Sequence, residues 1–382
     1  MKSSLIPEPW QERWAEAARR RASRSRNRSI QPASGLDFSS NDYLGLRRDP
    51  RLAEAGAKAA LEYGSGSGAS RLLRGTSPLH DQLETGLAEW KGQGSCLLFN
   101  TGFQCNATVI PSLLQPGDAV FSDALNHASI VDGCRMAKAR GAHLGIYPHL
   151  DLADLQRQLH AWMAGASREA LALVVTDAVF SMDGDAADLP ALLDICRRHR
   201  ALLMVDEAHA SGLLGPTGAG LAEAQGVHGQ IPLLMGTLGK ALGTFGAFVA
   251  CDPSLREHLV NQCRGFIFST ALPPSSVGAS LEALRLARTE TWRRERALGH
   301  AHRLRQALGL PVGASPIVPL VIGSDADALR VARGLQERGL DIRAVRPPTV
   351  PEGTARLRIT TGAHQSEAEV EALILGLQEL LP

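Results

Sequence analysis

The segment 171–206 constrains this chain more than any other, because it reads as strand, helix and strand in close succession. Leu171-Ala172-Leu173-Val174-Val175 is an apolar run of buried-strand length. A helix is predicted from near Asp188 and Pro190, carrying Leu192, Leu193, Ile195 and Cys196 and ending in Arg197-Arg198-His199-Arg200. Proline suits a first helical turn, and basic residues suit the negative end of the helix dipole. A second strand follows over 201–205. Strands joined through a helix at this spacing lie parallel, with a right-handed crossover. The fold class is therefore α/β, built on a mostly parallel sheet. Functional side chains in such sheets gather at the carboxyl ends of strands. Asp206 stands there, with His209 three positions on.

At 382 residues the chain suggests about two or three domains. We expect an N-terminal helix and linker over 1–40, a large domain over 41–285 and a small α+β domain over 286–382. Residues 10–22 place Trp10, Trp14, Ala17 and Ala18 on one helical face. Leu79, Leu83, Leu87 and Trp90 mark an amphipathic helix, and 52–62 also reads as helical. Beyond about 285 the chain is predicted to run as a charge-rich connecting helix (282–306), a strand at Ile317–Ile322 and a helix over 325–338. Strands at Leu340–Val345 and Leu357–Thr361 follow. The last helix starts at Ser366 with Glu369 three residues on, a capping-box pattern.

Net charge is +1, so no overall field points to nucleic acid or a membrane. No apolar run approaches the roughly 18 residues of a membrane span. The opening Lys2-Ser3-Ser4-Leu5-Ile6-Pro7 passes into charge, so no secretory signal is expected. Six scattered cysteines with no CxxC pair fit reduced thiols and a cytoplasmic location, and no metal site is expected. Six arginines and no acid lie within 19–28. The ordinary reading is a solvated basic helix end; the sharper one is a site for an anionic acyl donor. Nucleic-acid binding comes third, because no aromatic residues interleave.

Lys240 sits between two apolar stretches, 233–235 and 245–250. Burial there would depress the amine pKa, as an imine-forming lysine requires. An Asp at a neighbouring strand end, Asp206, can keep a pyridinium nitrogen protonated. Together these are the groups that run pyridoxal 5′-phosphate as an electron sink. Asn100-Thr101-Gly102-Phe103 opens a helix over 104–114 whose free N–H groups can hold a phosphate. His127 follows the strand-like Ala119-Val120-Phe121 and can stack on a flat ring. Gly64-Ser65-Gly66-Ser67-Gly68-Ala69 satisfies GxGxxA, but a helical segment precedes it where a dinucleotide fingerprint needs a strand. Gly239-Lys240 is no P-loop, since Ala241 follows.

These residues resemble the α-oxoamine synthase family of fold-type I pyridoxal-phosphate enzymes. The motifs that carry the likeness are Phe38-Ser39-Ser40-Asn41-Asp42-Tyr43-Leu44-Gly45-Leu46, Asn126-His127-Ala128-Ser129 and Phe180-Ser181-Met182-Asp183-Gly184-Asp185. To these are added Val205-Asp206-Glu207-Ala208-His209, Thr237-Leu238-Gly239-Lys240 and Pro347-Pro348-Thr349-Val350-Pro351, with Arg356-Leu357-Arg358. The resemblance runs nearly end to end. It implies an aminotransferase-like fold, with a large mostly parallel-sheet domain and a smaller α+β C-terminal domain.

The resemblance also implies roles. Lys240 would carry the cofactor as an imine and act as the base during turnover. Asp206 would pair with the ring nitrogen, with His209 and Ser181 near the phenolic oxygen. His127 would stack on the ring and meet substrate. Gly102, Phe103 and Thr237 would hold the phosphate. Ser269 and Thr270 would reach the phosphate of a second subunit, implying a homodimer with shared sites. Arg358 would bind the amino acid's carboxylate beside Asn41, and Thr349 would contact the acyl substrate. Arg26 is the N-terminal arginine matched to the acyl chain. The implied reaction is decarboxylative condensation of L-alanine with a pimeloyl thioester, carried by coenzyme A or acyl-carrier protein. Ser70, where relatives using succinyl-CoA have threonine, leaves room for alanine's methyl. Glycine with acetyl- or succinyl-CoA, and serine with palmitoyl-CoA, are the alternatives within the family.

Overall fold

The computed structural model describes residues 5–30 and 32–381; residues 2–4 of the opening stretch lie outside them. In chain order the strands are β1 (Leu36–Asp37), β2 (Ser95–Phe99), β3 (Ala119–Asp123), β4 (His143–Tyr147), β5 (Ala172–Asp177) and β6 (Leu202–Asp206). They continue as β7 (Leu233–Thr237), β8 (Ala247–Cys251), β9 (Ile317–Gly323), β10 (Leu340–Asp341), β11 (Ala344–Val345) and β12 (Ala355–Thr360). Seven form one sheet in the order β2-β8-β7-β6-β5-β3-β4. β7, β6, β5, β3 and β4 are parallel, and β8 is antiparallel to both its neighbours.

The expected strand–helix–strand unit is β5, the helix Leu189–Arg198 and β6. Asp188 caps the helix by accepting the Ala191 N–H at 3.0 Å, and Pro190 sits in its first turn. The strands read as unbroken apolar runs because both sheet faces are covered. Val174, Leu203 and Val205 enter one core, while Leu173, Val175 and Met204 enter the other. Alternate side chains of a strand point to opposite faces, so a doubly covered strand shows no polar alternation. Each fully buried residue of this size contributes about 1.5–3 kcal/mol.

A third core joins Val318, Leu320, Leu357, Ile359 and Leu373 of the C-terminal region to Phe38. Here β9, β12 and β11 form an antiparallel sheet, backed by helices Asp325–Glu337 and Glu367–Leu380. The capping box expected at Ser366 and Glu369 is present. β1 pairs in parallel with β10, Leu36 opposite Leu340. The segment before residue 40 is thus bound to the C-terminal unit.

Local expectations needed revision at several places. The stretch 282–306 is not one helix but the ends of two, Pro274–Thr289 and Trp292–Ala307. Glu290 leaves the helical region between them, its carboxylate held by Arg51 at 2.6 Å and Arg293 at 2.7 Å. The stretch 340–345 is two short strands, because Asp341 pairs with Asp37 whereas Ala344 pairs with Leu357. The helix expected over 104–114 runs two residues earlier, Gly102–Ser112. The helix Glu8–Ser23 buries none of its residues, and Trp10 and Trp14 remain half exposed. Among the described residues no helix is long and apolar enough to cross a membrane.

Candidate active site

The strand ends converge on a cavity of about 160 Å³ lined by Gly102, Phe103, Asn106, His127, Asp206, His209, Thr237 and Lys240, among others. Asp206 ends β6 and is 4% exposed. Lys240 lies in the turn between β7 and β8, closed by Leu238 N–H to Gly246 O (2.9 Å) and Gly243 N–H to Lys240 O (2.9 Å). Gly243 and Gly246 take the left-handed backbone this turn requires, with φ of 65° and 128°. Gly102 begins a helix capped by Thr101, and a Cβ there would meet the Met235 side chain at 2.8 Å. The Gly102 and Phe103 N–H groups, in the first helical turn, have no acceptor among the described residues.

Lys240 starts a hydrogen-bonded run through the site. Its Nζ lies 2.9 Å from His209 Nε2, and His209 Nδ1 lies 2.7 Å from the Tyr43 hydroxyl. The single Tyr43 proton goes to Asn41 Oδ1 at 3.0 Å, so His209 Nδ1 donates and its Nε2 accepts from Lys240. Asn41 Oδ1 also accepts from Arg358 Nη2 at 3.0 Å. Burial pulls the Lys240 pKa down to about 8, against the raising effect of Asp206 and Asp177. Burial also pushes His209 well below its usual range, reinforced by Lys240 and Arg358.

A second run leaves Asp206. Its Oδ2 accepts from Asn106 Nδ2 at 2.7 Å, and its Oδ1 from the Ala208 N–H at 2.8 Å. Asn106 Nδ2 also donates to Ser129 Oγ at 3.0 Å, which lies 2.7 Å from His127 Nδ1. Asp177, ending β5 in register with Asp206, accepts the His127 backbone N–H at 2.7 Å. Burial first, then Asp206, raise the Asp177 pKa well above its ordinary value. Sequence reasoning missed Tyr43, Asn106, Ser129 and Asp177 as site residues. Tyr43 and Ser129 had a signal in the motifs that carry the resemblance, and Asp177 had one just past the apolar run Leu171–Val175; Asn106 had none.

The remaining expected residues are placed around this centre. Ser181 accepts Arg358 Nε through its carbonyl, so its backbone positions the arginine. Thr237 Oγ1 donates to Gly246 O at 3.0 Å and accepts from the Gly239 N–H. Ser269 and Thr270 line a different recess with Arg71 and His80, and Ser70 bridges to Thr270. Thr349 lines a separate cavity of about 220 Å³ with Arg26, Arg28 and Arg346. In it Arg28 Nη2 donates to Thr349 Oγ1 at 3.3 Å, while Arg26 pairs with Asp325 at 2.8 Å and with Glu352.

The residues present fit an aromatic aldehyde phosphate. The amine is partly neutral near neutral pH, a buried carboxylate faces it, and free N–H groups open a helix. Asn106 Oδ1 is buried without a partner in the same cavity. No cluster of three or more His, Cys, Asp or Glu among the described residues is placed to hold a metal. Fold and site together define a fold-type I enzyme whose cofactor is pyridoxal phosphate. The chain belongs to the aminotransferase class I and II family, whose model matches residues 33–377. It is 50% identical over 352 residues to an 8-amino-7-oxononanoate synthase of Anaeromyxobacter dehalogenans, covering 91% of this chain and 86% of that one. A serine palmitoyltransferase from S. paucimobilis, solved with PLP and myriocin bound, superposes with a TM-score of 0.88. It is 30% identical, with 99% of this chain and 98% of that one covered. The 8-amino-7-oxononanoate synthase of Francisella tularensis matches with a TM-score of 0.74 at 27% identity, over 91% of this chain and 98% of that one.

Proposed function

We propose that this chain is a pyridoxal-phosphate-dependent acyltransferase that joins L-alanine to a pimeloyl thioester with loss of carbon dioxide. The products are 8-amino-7-oxononanoate and the free thiol of coenzyme A or acyl-carrier protein, a step of biotin synthesis in the cytoplasm. The carrying observation is the run Lys240–His209–Tyr43–Asn41–Arg358, which puts a weakly basic amine and a carboxylate-binding cation in one site. The 50% identity to a synthase of this name supports the choice of substrates over those of the 30% identical serine palmitoyltransferase.

Bound here, the cofactor supplies an electron sink for negative charge at the amino acid's α-carbon. Asp206 would pair with its ring nitrogen, while Gly102, Phe103 and Thr237 would hold its phosphate. Arg358 and Asn41 hold the alanine carboxylate. Lys240 Nζ takes the α-proton, for which its lowered pKa suits it. The site belongs to the 41–285 unit, with Arg358 and Thr349 supplied by 286–382.

The acyl chain is received at Thr349. Arg28 serves it rather than Arg26, whose guanidinium is already held by Asp325 and Glu352. We infer a homodimer in which Ser70, Ser269 and Thr270 serve the second subunit's cavity. Exposed Leu73, Phe103 and Phe268 supply apolar surface for that contact. Product analysis pairing alanine, glycine or serine with pimeloyl, acetyl, succinyl and palmitoyl thioesters tests the assignment. Turnover is expected for alanine with the pimeloyl thioester; its absence would overturn the proposal.

A further inference from the structure

His127 closes the helix Ala128–Ala139 from below: it is the N-cap, and its ring nitrogen Nδ1 accepts the Ser129 backbone N–H at 3.2 Å. A backbone N–H can only donate, so Nδ1 carries no proton. The Ser129 hydroxyl lies 2.7 Å from the same nitrogen. Its oxygen already accepts from Asn106 Nδ2 at 3.0 Å, which leaves its proton free for His127. Ser129 is 1% exposed and Asn106 is fully buried, so water does not compete for these bonds. Asn106 is in turn fixed by Asp206 at 2.7 Å.

We propose that Ser129 and Asn106 are positioning residues that hold His127 as the neutral tautomer protonated at Nε2. In the reaction proposed above, on which this role rests, His127 is then a hydrogen-bond donor to a substrate oxygen and not a proton acceptor. Protonating Nδ1 would break the cap and place positive charge at the positive end of a helix. The charged and titratable groups around the ring are Asp177, Asp206, Lys240 and His209. Partial burial lowers the His127 pKa, Asp206 opposes this, and Lys240 adds to the lowering. The chain Asp206–Asn106–Ser129–His127 also ties the ring-nitrogen carboxylate to the stacking histidine through side chains alone.

The test is nitrogen NMR of the cofactor-loaded enzyme labelled with 15N-histidine, His127 being assigned by its loss in His127→Asn. A protonated Nε2 and a bare Nδ1 are expected, unchanged between pH 8 and about 6. A proton on Nδ1, or an imidazolium at pH 7, would overturn the proposal, and neither result depends on which substrates turn over. Ser129→Ala, set against Ser129→Thr, gives a second readout. The alanine variant should lose about tenfold in kcat/KM for L-alanine, with the acid limb of the profile moved up in pH, and the threonine variant should restore both. Nitrogen shifts and an acid limb identical to wild type in a folded Ser129→Ala protein would equally overturn it.

Discussion

Asp177 and Asp206 stand opposite each other at the carboxyl ends of adjacent parallel strands, both about 4% exposed. Two buried carboxylates so close resist ionising together, and the raised pKa falls on Asp177. The pair divides its work by partner: Asp206 accepts from Asn106 and the Ala208 N–H beside Lys240, and Asp177 supplies an oxygen that accepts the His127 N–H. An Asn at 177 keeps an oxygen that can accept the His127 N–H, whereas an Asn at 206 removes the carboxylate proposed to pair with the cofactor's ring nitrogen. Asp177→Asn is expected to keep kcat within about fivefold of wild type, whereas Asp206→Asn should lose at least ~100-fold. Equal losses in the two variants would contradict this division.

Lys240 should titrate near 8 rather than at its ordinary 10.5. Because the neutral amine attacks an aldehyde, the rate of cofactor capture by the cofactor-free protein should rise with pH through about 8. The stability linkage has the same direction. Between about 8 and 10.5 the unfolded chain binds the proton that the folded chain has released, so stability rises with pH across that window. Lys240→Met should flatten this rise in denaturant titrations; an unchanged slope would place the amine's pKa elsewhere.

His149 joins the loops that carry His127 and Ser181 from behind the site. Its Nδ1 meets Asp123 at 2.9 Å and its Nε2 meets Asp185 at 2.8 Å, with the ring edge-on to Phe180. Burial opposes the charge, but the two carboxylates prevail and raise the pKa to about 10. A raised folded pKa gives stability that is full below the unfolded value of 6.5 and lost as pH climbs through about 10. The Tm gap between wild type and His149→Phe should accordingly be widest near pH 6 and should narrow toward pH 10. A gap that stays constant with pH would mean the ring acts by packing alone.

How much of this was legible in the sequence follows from what fixes each feature. The parallel sheet was readable because Leu173, Val174 and Leu203 form continuous apolar runs around a helix with its own start and stop signals. Lys240, Asp206 and His127 were readable because each ends or follows such a strand. Asn106 was not, since a polar residue inside a helix pattern shows nothing of partners 100 or 23 residues away, and Ser129, though within a quoted motif, showed nothing of its bond to Asn106. Arg26 and Arg28 lie in a stretch without regular structure, where no periodicity assigns a direction. Only the carboxylates of Asp325 and Glu352, 299 and 326 residues on, separate them.

That separation has a kinetic consequence. Arg28→Ala should raise KM for the acyl thioester about tenfold while leaving KM for alanine within about twofold. Arg26→Ala should lower Tm, by freeing Asp325 and Glu352, with little change in either KM. The reverse pattern would return the acyl contact to Arg26.

The helix Leu189–Arg198, which joins β5 to β6, carries a strained residue at its end. Arg200 follows the C-cap His199 with φ of 52°, and it is exposed. The Ala201 N–H reaches back to Cys196 O at 2.9 Å, and the Arg200 N–H to Arg197 O at 3.3 Å. This is the double closure that normally recruits glycine at the left-handed position. An L-residue with a Cβ costs roughly 1–2 kcal/mol there, part of which glycine's extra freedom in the unfolded chain takes back. Arg197 and Arg198 remain to complement the helix dipole. Arg200→Gly should therefore stabilise the protein by about 1 kcal/mol in urea titrations without altering kcat, since the turn lies at the opposite end of β6 from Asp206. A loss of stability would show that the arginine side chain holds the turn by contacts that outweigh its backbone strain.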